Sequence, residues 1–152
     1  MLRIDQIETP IGAVHLAVEG NALRAAAFAP LSLEGRAEPT PISGRLRAWF
    51  AGDLDALDGI EVAPVGTPFQ KSVWALLQRI PRGETRTYGQ LARELGSHPR
   101  AVGSANGANP IGIVIPCHRV VAADGTLCGY AWGQHRKRWL LDHESAARRD
   151  RA

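Results

Sequence analysis

Two threonines, Thr67 and Thr87, each stand three residues ahead of a glutamine, Gln70 and Gln90, at the head of an apolar run. A threonine hydroxyl that accepts the third backbone N–H of a helix, with a glutamine reaching back to the threonine's own N–H, is a capping box. It marks a helix start on its own evidence, and Pro68 adds a preorganised first position. The first predicted helix therefore follows Gly66 and carries Phe69, Val73, Leu76, Leu77 and Ile80 on one face, ending near Pro81 with RGE as a turn. The second carries Tyr88, Leu91, Ala92 and Leu95 and stops at Gly96. The short link SHP then leads into RAVGSANGAN, a third helix that starts near Pro99. Two short helices joined by a tight link containing glycine predict a helix-turn-helix. Its second helix is rich in small residues, namely Ala101, Gly103, Ser104, Ala105 and Gly107. Each glycine costs a helix roughly 1 kcal/mol relative to alanine, so close approach of a DNA backbone or tight packing on another helix should compensate.

Upstream, IDQIE, AVHLAVE and ALRAAAFA read as short antiparallel strands joined by the turn-prone TPIG and GN. Residues 31–41 lack periodicity and connect to a helix around ISGRLRAWFAG. The acidic, aperiodic GDLDALDGIEVAPVG reads as a domain linker, which divides the chain into 1–66 and 67–152. The fold class predicted is α+β, a small N-terminal antiparallel sheet with a helix packed on a mainly helical C-terminal domain. Past Asn109 and Pro110, IGIVI reads as a buried strand that Pro116 terminates, leaving Cys117 just beyond a strand end. The tail from Gln134 to Ala147 is predicted helical, with Trp139, Leu140 and Leu141 as its apolar side.

Charge separates the two parts. Residues 1–68 hold 5 basic and 9 acidic side chains, net −4, whereas residues 69–152 hold 13 basic and 6 acidic, net +7. The second part has the electrostatics of a polyanion-binding surface, although a solvated basic face gives the same count. No apolar run approaches the roughly 20 residues needed to span a membrane, and LRIDQIETP after Met1 does not read as a secretion signal, so a cytoplasmic protein is expected. In that compartment Cys117 and Cys128 are expected as reduced thiols.

The segment PCHRVV sets the Cys117 thiol beside the His118 imidazole and the Arg119 guanidinium, with Glu144 farther on. Such neighbours can supply thiolate near neutral pH. Adjacent residues of an extended strand face opposite ways, so His118 serves Cys117 only through a turn or a bridging water. A cysteine can equally be a small buried hydrophobe. Zinc held by Cys117, His118, Cys128 and His135 or His143 is a further reading, but the spacing is wrong for paired ligands. Neither GxGxxG nor GxxxxGK[ST] occurs, which argues against a nucleotide-dependent or cofactor-dependent methyltransferase; no cofactor and no metal are expected.

GTPFQKSVW, IPRGETRTYGQLA, RAVGSANGANPIGIVIPCHRVVAADGTL and GYAWGQHRKRWLLDHE follow one another in the order found in one family, and TPIGAVHLAVEGNALRAAAF with LRAWFAGDL extends the likeness upstream. On these segments the chain resembles the O6-alkylguanine-DNA alkyltransferases, and GYAWG with the following RK is most like the bacterial branch. The resemblance implies an RNase H-like N-terminal domain, a winged helix-turn-helix in the C-terminal one, and a monomer that binds the minor groove of double-stranded DNA. It implies direct-reversal repair, in which the alkyl group of O6-alkylguanine, with O4-alkylthymine as a second candidate substrate, moves once to Cys117. His118 would act through water as the base, Glu144 would orient it, Asn109 would brace the turn, and Tyr88 would act at the flipped base. Arg100 would fill the gap in the base stack, with Ala101, Gly103, Ser104, Tyr88 and Arg119 also at the DNA. Val120, Tyr130, Ala131 and Trp132 would form the base pocket. Three departures stand out: the link between Gly96 and Arg100 is shorter than usual, Ala131 replaces a common serine, and Cys128 stands where a small residue is common. Two competing readings share parts of this pattern. Alkyltransferase-like proteins bind the lesion without reacting but typically replace the acceptor cysteine, and a winged-helix regulator leaves PCHR unexplained.

Overall fold

Strand alternation, helix caps and prolines place most elements where local chemistry puts them. The computed structural model describes residues 2–151, with side chains described as far as residue 145, so Met1 and Ala152 of the expected domain spans lie outside the described residues. The chain divides into two compact units: residues 1–65 with 110–114, and residues 66–109 with 115–152.

In the first unit, β1 (Leu2–Thr9) and β2 (Gly12–Glu19) form an antiparallel hairpin in register from Leu2 opposite Glu19 to Thr9 opposite Gly12. β3 (Ala22–Ala27) pairs antiparallel with β2 through a bulge at Ala17 and Val18. A two-residue strand, β4 (Arg36–Ala37), lies parallel on the other side of β1, giving the order β3-β2-β1-β4. Val14, Leu16, Ala17 and Val18 are all buried, so central β2 is covered on both faces, which is why it reads as an apolar run rather than a clean alternation. α1 (Pro41–Phe50) starts at Thr40, whose hydroxyl accepts from Ser43 N, and buries Ile42, Leu46, Trp49 and Phe50 against the sheet.

Two sequence expectations change here. The acidic stretch before Gly66 is packed rather than loose: Arg45 donates to the carbonyls of Ala56 (2.8 Å) and Asp58, and Leu54 is buried. Leu23 N donates to Glu61 O (2.8 Å) and Ala63 N to Leu23 O (2.9 Å), so this stretch covers part of the β3 edge. The run IGIVI is not a strand. Only Ile111 bridges, to Ala26, with Ala26 N on Pro110 O (3.0 Å) and Gly112 N on Ala26 O (2.8 Å); the chain then turns. Residues 110–114 thus belong to the first unit, and the single expected boundary at 66/67 is replaced by a chain that returns briefly to the β3 edge. Both passes satisfy an edge that would otherwise offer unpaired backbone groups. Ile113 is buried at a φ of 73°, a conformation costing a β-branched residue about 1–3 kcal/mol.

In the second unit, α2 (Pro68–Leu77) and α3 (Tyr88–Leu95) both begin with complete capping boxes, Thr67 with Gln70 and Thr87 with Gln90. α2 buries Val73, Trp74 and Leu77, while Phe69, expected on the inner face, is exposed. Trp74 Nε1 donates to Ala105 O (2.8 Å), tying α2 to α4 (Pro99–Gly107). Gly66 makes room for that indole: a methyl group there would stand 2.4 Å from the Trp74 ring. α3 stops at Gly96 in the left-handed region, φ 62°, with Ser97 N on Ala92 O (2.8 Å). His98 caps α4, its Nδ1 accepting from Arg100 N (3.1 Å). β5 (Arg86–Thr87) and β6 (Val120–Val121) form a two-residue parallel pair. A 3₁₀ turn, Cys117–Arg119, precedes β6, and an irregular segment leads to α5 (Gln134–Arg151). α5 buries Lys137, Leu140, Leu141 and Glu144, whereas Trp139 is half-buried and stacks on His143 (4.7 Å). Among the described residues no helix is long and apolar enough to cross a membrane.

Candidate active site

Pro116 precedes a 3₁₀ turn that carries Cys117, His118 and Arg119. Cys117 and His118 are both buried, and the backbone turns tightly at Cys117, whose N–H donates to Ile115 O (2.8 Å). His118 Nε2 lies 2.9 Å from Glu144 Oε1. Glu144 also accepts Arg119 Nε (3.1 Å) and, on its second oxygen, Arg119 Nη2. The remaining Arg119 donor, Nη1, goes to Ile80 O (2.6 Å). Burial alone would raise the Glu144 carboxyl, but the charges and hydrogen bonds of His118 and Arg119 overcome it and hold the group down at about 2. An ionised Glu144 accepts a hydrogen bond from Nε2–H of His118, which leaves Nδ1 as the acceptor. That Nδ1 is buried and has no protein partner.

Burial pushes the Cys117 thiol up, opposed by the Asn109 amide, the Lys137 ammonium and the Tyr130 hydroxyl. Asn109 Nδ2 also donates to Ile115 O (2.8 Å), so one amide ties the approach to the turn and touches the sulfur. Asn106, unremarked in the sequence, donates from Nδ2 to Cys117 O (3.4 Å) and interacts with the Tyr88 hydroxyl. Its buried Oδ1 has no partner. The only sequence signal for it was a polar residue inside a run of small ones.

Cys117 opens onto a cavity of about 670 Å³. Of the expected site residues, Tyr88, Arg100, Gly103, Asn109, Tyr130, Ala131 and Trp132 line it together with Cys117. Burial raises both tyrosines above their ordinary value, for Tyr130 well above, with the nearby thiols acting in the same direction, so both stay protonated donors at neutral pH. The Tyr130 hydroxyl is buried with no nitrogen or oxygen partner and interacts with the Cys117 sulfur. Sulfur is a weak hydrogen-bond partner, so the hydroxyl is available to a group that enters the cavity.

Other assignments move. Arg119, expected at the DNA, is committed to Glu144 and Ile80 O because a buried carboxylate needs a charged partner. Val120 is fully buried in β6 and does not line the cavity. Ala101 and Ser104, expected at the DNA, lie on the exposed face of α4 with Arg100 and Gly107. A methyl group at Gly107 would meet nothing within 4 Å, and one at Gly103 would make ordinary contact with the Tyr88 ring at 3.7 Å. Packing therefore does not require either glycine. Among the described residues no group of three or more His, Cys, Asp or Glu is gathered as a metal site.

A buried thiol that lines an open cavity, followed in the chain by an imidazole held by a buried carboxylate, is the residue set of a candidate cysteine nucleophile with a candidate base. The family described as 6-O-methylguanine DNA methyltransferase, DNA binding domain, matches residues 68–146. The methylated-DNA–protein-cysteine methyltransferase of Mycobacterium bovis is 42% identical over 156 residues, covering 96% of this chain and 94% of that protein. That of Salmonella typhimurium is 56% identical over 108 residues, 70% of this chain, and the match spans 63% of the Salmonella protein's length. The crystal structure of the Mycobacterium tuberculosis protein in complex with DNA superposes with a TM-score of 0.85 at 41% identity, covering 95% of this chain and 94% of that one. The chain belongs to the methylated-DNA–protein-cysteine methyltransferase family.

Proposed function

We propose that this chain repairs O6-alkylguanine in double-stranded DNA by moving the alkyl group to Cys117 in a single irreversible step. The observation that carries this reading is the state of His118, the residue after a thiol that burial keeps protonated: Nε2 is engaged by Glu144 and Nδ1 is buried without a protein partner. A thiol in that state needs a base on demand. Nδ1 takes the thiol proton, through one water, as the sulfur attacks the alkyl carbon; the C–O6 bond breaks, the hydroxyls of Tyr88 and Tyr130 donate hydrogen bonds to the departing guanine, and guanine takes up a proton from solvent as His118 returns one to it. Glu144 stabilises the imidazolium in between. The product is a thioether, which water and thiols do not readily displace, so each molecule works once.

The substrate base must leave the stack to reach a buried sulfur, at a cost of a few kcal/mol recovered in the fitted cavity. α3 and α4 act as a helix-turn-helix on the minor groove of the duplex. The exposed face of small residues on α4 permits close approach, and Arg100, at the cavity rim, fills the space the base vacates. The working species is a monomer. Peptide mapping after mixing with a duplex that carries O6-methylguanine tests this reading: one methyl group on Cys117 is expected and none in Cys117→Ser. Methylation on Cys128, or none at all, would overturn it.

A further inference from the structure

Alkyl transfer as derived above uses one thiol, yet the cavity holds two. Cys128 is exposed and lines the same cavity as Cys117. The peptide around it is held by a buried ammonium: Lys137 Nζ donates to Leu127 O (2.5 Å) and reaches Gly129 O (3.5 Å), the carbonyls on either side of Cys128. Lys137 is fully buried, and among the described residues no carboxylate is paired with it. A buried, unpaired cation is costly unless an opposite charge forms nearby. The groups that offer one are the two thiols, both of which act on Lys137 to favour its charged form against burial. The Tyr88 hydroxyl, across the cavity, also interacts with both sulfurs, and Asn109 and Tyr130 complete the surroundings of Cys117. Two thiols that share one cation, one tyrosine and one cavity are placed for chemistry with each other.

We propose that Cys128 is an oxidant-sensitive partner of Cys117, and that a peroxide converts the pair to an intramolecular disulfide that reversibly masks the alkyl acceptor. The exposed Cys128 thiol loses its proton and its sulfur attacks one oxygen of hydrogen peroxide; the O–O bond breaks, the hydroxide that leaves takes up that proton as water, and Cys128 becomes a sulfenic acid. Cys117 then attacks that sulfur, its thiol proton leaving with the displaced hydroxide as a second water. The two sulfurs lose two electrons and two protons in all, and the peroxide accepts them. A bridge needs Cα atoms about 4.4–6.8 Å apart. The segment from Ala122 to Gly133 carries Gly125, Gly129 and Gly133 without helix or strand, and supplies the adjustment. The lysine holds that segment by its carbonyls, and the Cys128 side chain, which interacts with the Tyr88 hydroxyl, lines the cavity.

The functional consequence rests on the repair reading; the bridge does not, because it can be read without DNA. The test treats the full chain with hydrogen peroxide and follows intact mass, non-reducing peptide maps and labelling of Cys117 by iodoacetamide. The mass should fall by two hydrogens, one peptide should join Cys117 to Cys128, and Cys117 labelling should drop at least about tenfold and return with dithiothreitol. Cys128→Ser, at an exposed position, should keep its fold and show no loss of hydrogens under the same treatment. Oxygen added to separate thiols, a bridge only between molecules, or wild-type behaviour in Cys128→Ser would overturn the proposal. A bridge that forms in a protein that lesion duplex fails to methylate would refute the repair reading and leave this one standing.

Discussion

Replacing Glu144 by glutamine keeps the shape of the side chain and removes the charge on which His118 and Arg119 both depend. The structure sets the size of the effect. Held at about 2 against an ordinary 4.5, the carboxylate contributes roughly 3 kcal/mol to the folded state at neutral pH. Because the folded value lies below the unfolded one, this contribution is complete above the ordinary carboxylate range and is lost as pH falls from about 4.5 through about 2. Denaturant unfolding of wild type and Glu144→Gln, at neutral pH and at several acid pH values, reads it directly. The wild type should be more stable by roughly 3 kcal/mol near pH 7, and the gap should close through the acid window. Transfer to Cys117 should slow by about 10²–10⁴-fold, because a neutral amide no longer fixes the His118 tautomer. A gap that stays the same size at the acid end, or a stable variant that transfers at the wild-type rate, would refute the reasoning.

Tyr130→Phe removes a buried hydroxyl whose neighbour is the Cys117 sulfur and should change the stability of the resting protein by no more than about 1 kcal/mol while slowing transfer; a variant destabilised well beyond that in thermal melts would show that the hydroxyl is structural. Gly66→Ala places a methyl group 2.4 Å from the Trp74 ring and should cost about 1–3 kcal/mol, whereas Gly107→Ala meets open space and should change stability by no more than about 1 kcal/mol while weakening duplex binding; equal melting shifts in the two would contradict this. Arg100→Ala should weaken duplex binding and slow transfer from DNA yet leave reaction with free O6-benzylguanine intact, since a free base needs no flipping, and equal loss on both substrates would make Arg100 structural.

Local signals carried most of the helices. Thr67 with Gln70, Thr87 with Gln90, Gly96 and Pro99 act within three or four residues, so their meaning survives without the fold. Pairings that exist only through long-range contact were silent. The two-residue β4, β5 and β6 and the bridges at Val62 and Ile111 are too short to leave periodicity. Apolar IGIVI looked like a strand because Ile111, Ile113 and Ile115 are indeed buried, but Ile113 at φ 73° belongs to a turn. At the site, the Cys117 and Glu144 positions follow from the family pattern, whereas Lys137 enters only as part of the RK after GYAWG. Nothing in its neighbours along the chain announces that two loop carbonyls bury it. Asn106 was silent for the same reason: its partner, the carbonyl of Cys117, lies 11 residues away.

One thiol that accepts one alkyl group is then spent. Titrating duplex that contains O6-methylguanine against a fixed amount of protein, with intact mass read at each point, tests this. Transfer should plateau at one methyl group per active molecule, on Cys117, with repaired guanine never exceeding protein. Repair that continues well beyond that ratio while the protein's mass stays unchanged would contradict it.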